Sequence, residues 1–208
     1  MTYPELSAFV EECHAVDTTL ASVGAGDWDR PGLGEWSIAE LVAHLIRAVT
    51  RIDAYREADA TGPVIHDRVS YFQFDMAAAA PAIAQRARDE ALAVPPSALP
   101  ARFANGWRAS ARWAAALPGA HVIATARGPM RLDEYVATRV LEVVVHHMDL
   151  RSALAMPPGA TPAAGRLTMA ILEGMLGAPR PRNLGRTRFI LTTTGRLPSD
   201  DRRFPLLT

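Results

Sequence analysis

The segment from Asp133 to Leu150 limits what this chain can fold into more than any other. Tyr135, Val136, Val140, Leu141, Val144 and Met148, with further valines between them, leave it apolar on nearly every side. A helix of that kind must be buried by its neighbours. Yet Arg139, Glu142, His146 and Asp149 recur at intervals of three, four and three, which puts them in one polar stripe down a single face. Polar groups inside a buried helix must be paired or must bind something. Glu142 and His146, one turn apart, can reach one cation from one helix; the plainer alternative is a Glu–His hydrogen bond at a core edge.

Other segments supply the neighbours such a helix needs. From Pro4 to about Val23, Leu6, Phe9, Cys13, Val16 and Leu20 recur at helical spacing, with proline in the first turn. Cys13 lies on that apolar face and reads as a small buried hydrophobe, not a nucleophile. The Gly-, Asp- and Pro-rich stretch 24–36 reads as a loop. Ser37-Ile-Ala-Glu40 then carries a capping box that starts a second helix, whose stripe Ile38, Leu41, Val42, Leu45 and Val49 has His44 at its border. The aromatic patch Tyr71, Phe72 and Phe74 leads into an alanine-rich helix reaching Leu92, and Ser97 is positioned to cap another through Phe103, Trp107 and Trp113, with Asn105-Gly106 as a point where it could kink. Residues 121–126 are β-compatible and turn through Arg127-Gly128-Pro129 into the central helix as a small hairpin or connector; His121 is read as a surface residue and His147 as a packing or surface residue. Thr161-Pro162 opens a helix to about Leu176 with Gly177 as its cap, and 187–194 is strand-like.

These elements predict a mainly α fold: an up-down four-helix bundle made of the first two helices, the alanine-rich region and the central helix, with a small β element and a short helix–strand extension at the C-terminal end. The expected division is a bundle over residues 1–156 and an extension over 157–208. Lys plus Arg and Asp plus Glu each number 22, so no basic footprint calls for nucleic acid or an anionic membrane. No stretch has the length of apolar sequence that a bilayer span needs, and with no leader-like N-terminus the expected compartment is the cytoplasm. One cysteine excludes an intramolecular disulfide and a cysteine-built zinc site.

Trp36-Ser-Ile-Ala-Glu-Leu-Val-Ala-His44-Leu and Tyr135-Val-Ala-Thr-Arg139-Val-Leu-Glu142-Val-Val-Val-His146-His-Met-Asp149-Leu, in that order, resemble two helical motifs of the mycothiol-dependent maleylpyruvate isomerase family, within the DinB-like metal-binding four-helix bundles. The resemblance spans roughly residues 4–155. It implies a divalent metal, usually zinc, held by His44, Glu142 and His146, a donor set that leaves a fourth position open. It also implies mycothiol, a low-molecular-weight thiol, as cosubstrate, with the metal favouring its thiolate. Arg139 and Asp149 are the candidate catalytic residues, bracing the ligands or holding an acidic substrate, with salt bridges to neighbouring helices as the plainer alternative. About fifty residues follow the bundle, fewer than the α/β domain of longer members requires, so maleylpyruvate itself is not assigned as substrate.

The expected function is therefore a metal- and thiol-dependent isomerase or thiol transferase acting on a small electrophile. Two alternatives stay open: a metal-water hydrolase built on the same donors, and a DinB-like metal-binding stress or binding protein without turnover. The assembly state, a homodimer included, is also open.

Overall fold

The computed structural model describes residues 2–56, 60, 62–73 and 76–207. In chain order its helices are α1 (Pro4–Leu20), α2 (Ile38–Thr50), α3 (Met76–Leu92), α4 (Leu99–Ala115), α5 (Leu132–Ala153), α6 (Pro162–Leu176) and α7 (Arg186–Thr193). Two antiparallel pairs, β1 (Pro31–Leu33) with β2 (Trp36–Ser37) and β3 (Val122–Thr125) with β4 (Gly128–Arg131), and short 3-10 turns accompany them. The mainly helical expectation holds.

Four helices close a ring: α5 packs on α1 and α2, and α4 packs on the same two. The fourth member is α4 and not the alanine-rich α3, which packs chiefly on α2. The reason is side-chain size. Leu99, Phe103, Trp107 and Ala114 of α4 are buried and give it a face worth covering, whereas among the described side chains of α3 only Ala87 is buried. Methyl groups bury too little apolar area to hold a bundle position. Phe74, the third member of the aromatic patch, lies outside the described residues, while Tyr71 and Phe72 are buried.

Asn105-Gly106 does not break α4, which runs unbroken through both. Gly106 instead permits close approach to α2: a Cβ there would sit 2.7 Å from Thr50 Cγ2. Gly106→Val should lower unfolding stability by about 1–3 kcal/mol, the usual cost of overpacking, in a urea titration. Retention of the wild-type midpoint would show that the two helices have slack at this crossing.

The capping box forms as the sequence predicts. Glu40 N–H donates to Ser37 Oγ at 3.3 Å, and Ser37 N–H donates to Glu40 Oε2 at 2.7 Å. The hairpin before α5 also forms, with Val122 opposite Arg131 and Thr125 opposite Gly128. Three local expectations do not hold. The stretch 24–36 is not all loop, since β1 pairs with β2 and the buried Trp28 anchors it. Ser97 makes no cap, because a short 3-10 turn over Pro96–Ala98 intervenes and Ala98 takes the cap position of α4.

The largest departure is α7, a helix where a strand was expected. β-branched residues favour strands only where a partner edge lies alongside, and among the described residues no strand pairs with this segment. Here the threonine hydroxyls donate back to helix carbonyls, Thr193 Oγ1 to Phe189 O at 2.8 Å and Thr194 Oγ1 to Ile190 O at 2.7 Å. Gly195, at φ +74°, then closes the helix: its N–H bonds Thr192 O and the Arg196 N–H bonds Leu191 O. That is the two-bond left-handed cap that glycine makes cheaply. Phe189 and Ile190 are fully buried, as are Ile171 and Leu172 of α6, and together with Leu207 of the tail they belong to the same hydrophobic cluster as the bundle.

Candidate functional site

The polar stripe of α5 opens onto a cavity of about 460 Å³. At its base the structure brings His44 of α2 to Glu142 and His146 of α5. His44 Nε2 lies 4.0 Å and His146 Nε2 3.5 Å from Glu142 Oε2, and the two imidazoles meet edge to face with centroids 4.6 Å apart. One donor atom from each residue falls within 4.8 Å of the others, so the three could hold one cation. The glutamate side chain keeps 24% of its surface, which leaves the cluster reachable from the cavity.

Burial and neighbouring charges set the protonation states. Burial, with the adjoining His146, pushes the His44 imidazole down to about 3, and its Nδ1 is a buried nitrogen without a hydrogen-bond partner. Burial alone would raise the Glu142 carboxyl, but the His146 hydrogen bond and the Arg139 charge outweigh it and hold it at about 2. His44 is thus neutral and Glu142 anionic near neutral pH, the forms in which both donate electron pairs. For His146 burial is again opposed, here by hydrogen bonds to Asp149 and Glu142, and the net displacement is upward.

Arg139 and Asp149 flank the cluster. Arg139 is 7% exposed, donates from Nε to Thr138 Oγ1 at 3.1 Å, and stacks over the Tyr135 and Tyr71 rings. Its Nη2 stands 4.0 Å from Glu142 Oε1, the oxygen turned away from the imidazoles. Asp149 Oδ2 accepts from His146 Nδ1 at 3.1 Å. Burial raises the Asp149 carboxyl, but hydrogen bonds from His146 and Arg196 bring it below its ordinary value.

Around this base, Trp36 of β2, Tyr71 and Phe72 of the segment before α3, and Ile83 of α3 form apolar walls. The C-terminal segment contributes Thr194, Arg196 and Leu207. Sequence reasoning missed Arg196, because a strand ending at Gly195 left the next residue in an unconstrained loop. The signal was present: a run of threonines followed by glycine is as good a helix cap as a strand end.

His147, one residue from His146, points away from the cavity. It is 1% exposed, its Nδ1 pairs with Glu12 Oε1 at 2.6 Å and its Nε2 with Thr19 Oγ1 at 2.8 Å. Packing is therefore its setting, in a polar network inside the core, and the surface alternative falls. His121 is exposed as expected. Cys13 is fully buried, and burial, with Glu12 and Asp17 nearby, pushes its thiol well above the ordinary range. No helix among the described residues is long and apolar enough to cross a membrane.

No curated protein sequence matches the chain. Two solved structures share its fold: one described as the mycothiol-dependent maleylpyruvate isomerase, at TM-score 0.59 and 14% identity, covering 94% of this chain and 92% of that one. The other is a mutant of the mycothiol-dependent maleylpyruvate isomerase, at TM-score 0.56 and 15% identity, covering 85% and 72%. At such identities the likeness shows the fold alone. The sequence profile of the mycothiol maleylpyruvate isomerase N-terminal domain, however, matches residues 9–151, which include all three residues of the cluster, and the chain belongs to that family.

Proposed function

We propose that this chain is a divalent-metal- and mycothiol-dependent isomerase or thiol transferase acting on a small electrophile, with His44, Glu142 and His146 as metal ligands and zinc as the ion. The observation that carries the reading is the convergence of these three side chains, from two helices distant in sequence, at the base of one cavity. Two imidazoles and a carboxylate form a donor set that leaves a coordination position open. The residues fit an ion in other respects: the neutral His44 ring, whose Nε2 faces the anionic Glu142, is a ready ligand, and Asp149 fixes the His146 ring from behind. Zinc, when bound, would favour the thiolate of the cosubstrate at neutral pH.

The chain's own residues would do the rest. The aromatic walls strip water from the thiol and the electrophile, and Arg139 presents a buried guanidinium that would hold an acidic substrate or steady Glu142. The cavity is within the range of about 300–1,000 Å³ typical of small-molecule sites. Residues 1–156 are read as the metal-binding unit, 157–208 as its extension, and the cytoplasm as the compartment. The test is metal analysis of the purified protein followed by turnover of an activated, electron-poor alkene with and without mycothiol. Turnover that needs the thiol supports the reading. Turnover of a hydrolysable substrate without thiol would replace it with a metal-water hydrolase, and a tightly held metal with no exchangeable position would favour a binding protein.

Cys13 enters the same test from the other side. Cys13→Ala is expected to leave thiol-dependent turnover within about twofold of wild type, since the thiol is fully buried, does not line the cavity, and is pushed by burial well above the ordinary thiol range. Loss of turnover with fold and metal content preserved would mean that the sulfur comes from the chain.

A further inference from the structure

Arg196 lies outside the residues matched by the family profile, yet it lines the same cavity as the three residues of the cluster. Its Nε donates to Asp149 Oδ1 at 3.1 Å and its Nη2 to Asp149 Oδ2 at 2.8 Å, a two-pronged grip. Its Nη1 donates to Thr194 O at 2.6 Å. All three guanidinium nitrogens are engaged within the protein, so this arginine is poorly placed to serve a substrate although it lines the cavity. Arg139 differs, with one bond to a hydroxyl and a carboxylate no closer than 4.0 Å among the described residues.

What Arg196 holds is the residue that orients His146. Asp149 is 5% exposed, and the oxygen that accepts from His146 Nδ1 is also gripped by Arg196 Nη2. A carboxylate three residues along the same helix can pivot about its own torsions; one pinned at both oxygens cannot. With Nδ1 tied to it, the ring keeps Nε2 turned toward Glu142 and His44. The arginine is itself fixed by the Gly195 cap, which aims the chain back over α5 through the Arg196 N–H bond to Leu191 O at 2.7 Å. We propose, resting on the metal reading above, that Arg196 is a positioning residue for the metal site: it acts through Asp149 to set the His146 ring, so that the C-terminal segment completes a centre whose ligands lie in the bundle.

The test is zinc affinity of the full chain, read by competition with a chromophoric chelator, in Asp149→Asn, Arg196→Met and the double variant. Loss of an outer partner of a ligand costs about 10–100-fold in metal affinity. Asp149→Asn should fall in that range and Arg196→Met should weaken binding by about tenfold or more. The double variant should be no weaker than Asp149→Asn alone, because the side-chain bonds that Arg196 makes toward the site all end on that carboxylate. With cobalt(II) as the ion, the visible absorption bands of Arg196→Met should shift in the direction of those of Asp149→Asn, a signature that loss of stability alone does not produce.

Wild-type affinity and an unshifted spectrum in Arg196→Met, with Asp149→Asn weakened, would overturn the proposal and leave the metal reading standing. Independent, multiplying losses in the double variant would overturn it as well. A wild-type chain that takes up neither ion would overturn the metal reading and this inference together. If Arg196→Met fails to fold, Arg196→Lys is read in its place; it keeps the charge but not the two-pronged grip, and wild-type affinity in it overturns the proposal.

Discussion

Replacing His44 with alanine is expected to weaken divalent-metal binding by more than about 100-fold, beyond the range seen when only an outer partner of a ligand is lost. Helical content should be unchanged. The core stripe of α2 does not depend on the imidazole, since Ile38, Leu41, Leu45 and Val49 are all fully buried without it. The ring also brings a destabilising feature of its own, a buried Nδ1 with no partner, which costs about 1–3 kcal/mol in the metal-free protein. Removing it offsets much of the packing lost, so metal-free stability should stay within about 1 kcal/mol of wild type. Chelator competition and circular dichroism read the two halves of this result separately. A variant that keeps its full metal content would show that His44 is only a core-edge residue.

The opposite pattern is expected at His147. Glu12, fully buried on α1, accepts from His147 at one oxygen and from the Thr161 N–H and hydroxyl at the other, each at 2.8 Å, so one carboxylate ties α1, α5 and the start of α6 together. His147→Leu leaves that carboxylate short of a partner in a buried setting, and deprives Thr19 Oγ1 of its contact with Nε2. Breaking a buried pair from one side costs about 3–5 kcal/mol. The unfolding midpoint should fall accordingly, while zinc affinity in the folded fraction stays at the wild-type value because the ring points away from the cavity. Unchanged stability would mean that the network is not a tie between the helices, and a specific loss of zinc would mean that His147 acts on the metal site.

How far the sequence could be read depended on the range of the forces involved. The α5 stripe was legible because one helix fixes the spacing of Arg139, Glu142, His146 and Asp149, and the start of α2 was legible because a capping box is local. His44 was found at the border of a core stripe, though only packing brings it to Glu142. Which helix closes the bundle was not legible: alanine propensity marks α3 as a helix but says nothing of how much area it can bury, and the aromatic side chains of α4 decide the position. In α7 a local preference for strand yielded to hydroxyl-to-carbonyl bonds, a glycine cap and a buried Phe189, none of which a propensity scale counts. Arg196 and the Glu12–His147 pair were missed for a related reason. Both are contacts between residues far apart in the chain, and nothing in the local pattern announces them.

Zinc-edge X-ray absorption of the loaded protein, before and after addition of mycothiol, tests most directly that His44, Glu142 and His146 make a metal centre open to a thiol. Two imidazole nitrogens and carboxylate oxygen at about 2.0–2.2 Å are expected in the first spectrum, joined by one sulfur at about 2.3 Å in the second. Loss of one imidazole from the His44→Ala spectrum would identify the ligand on α2. A protein that binds no metal, or one whose zinc lacks imidazole scattering or is unchanged by the thiol, would contradict the account.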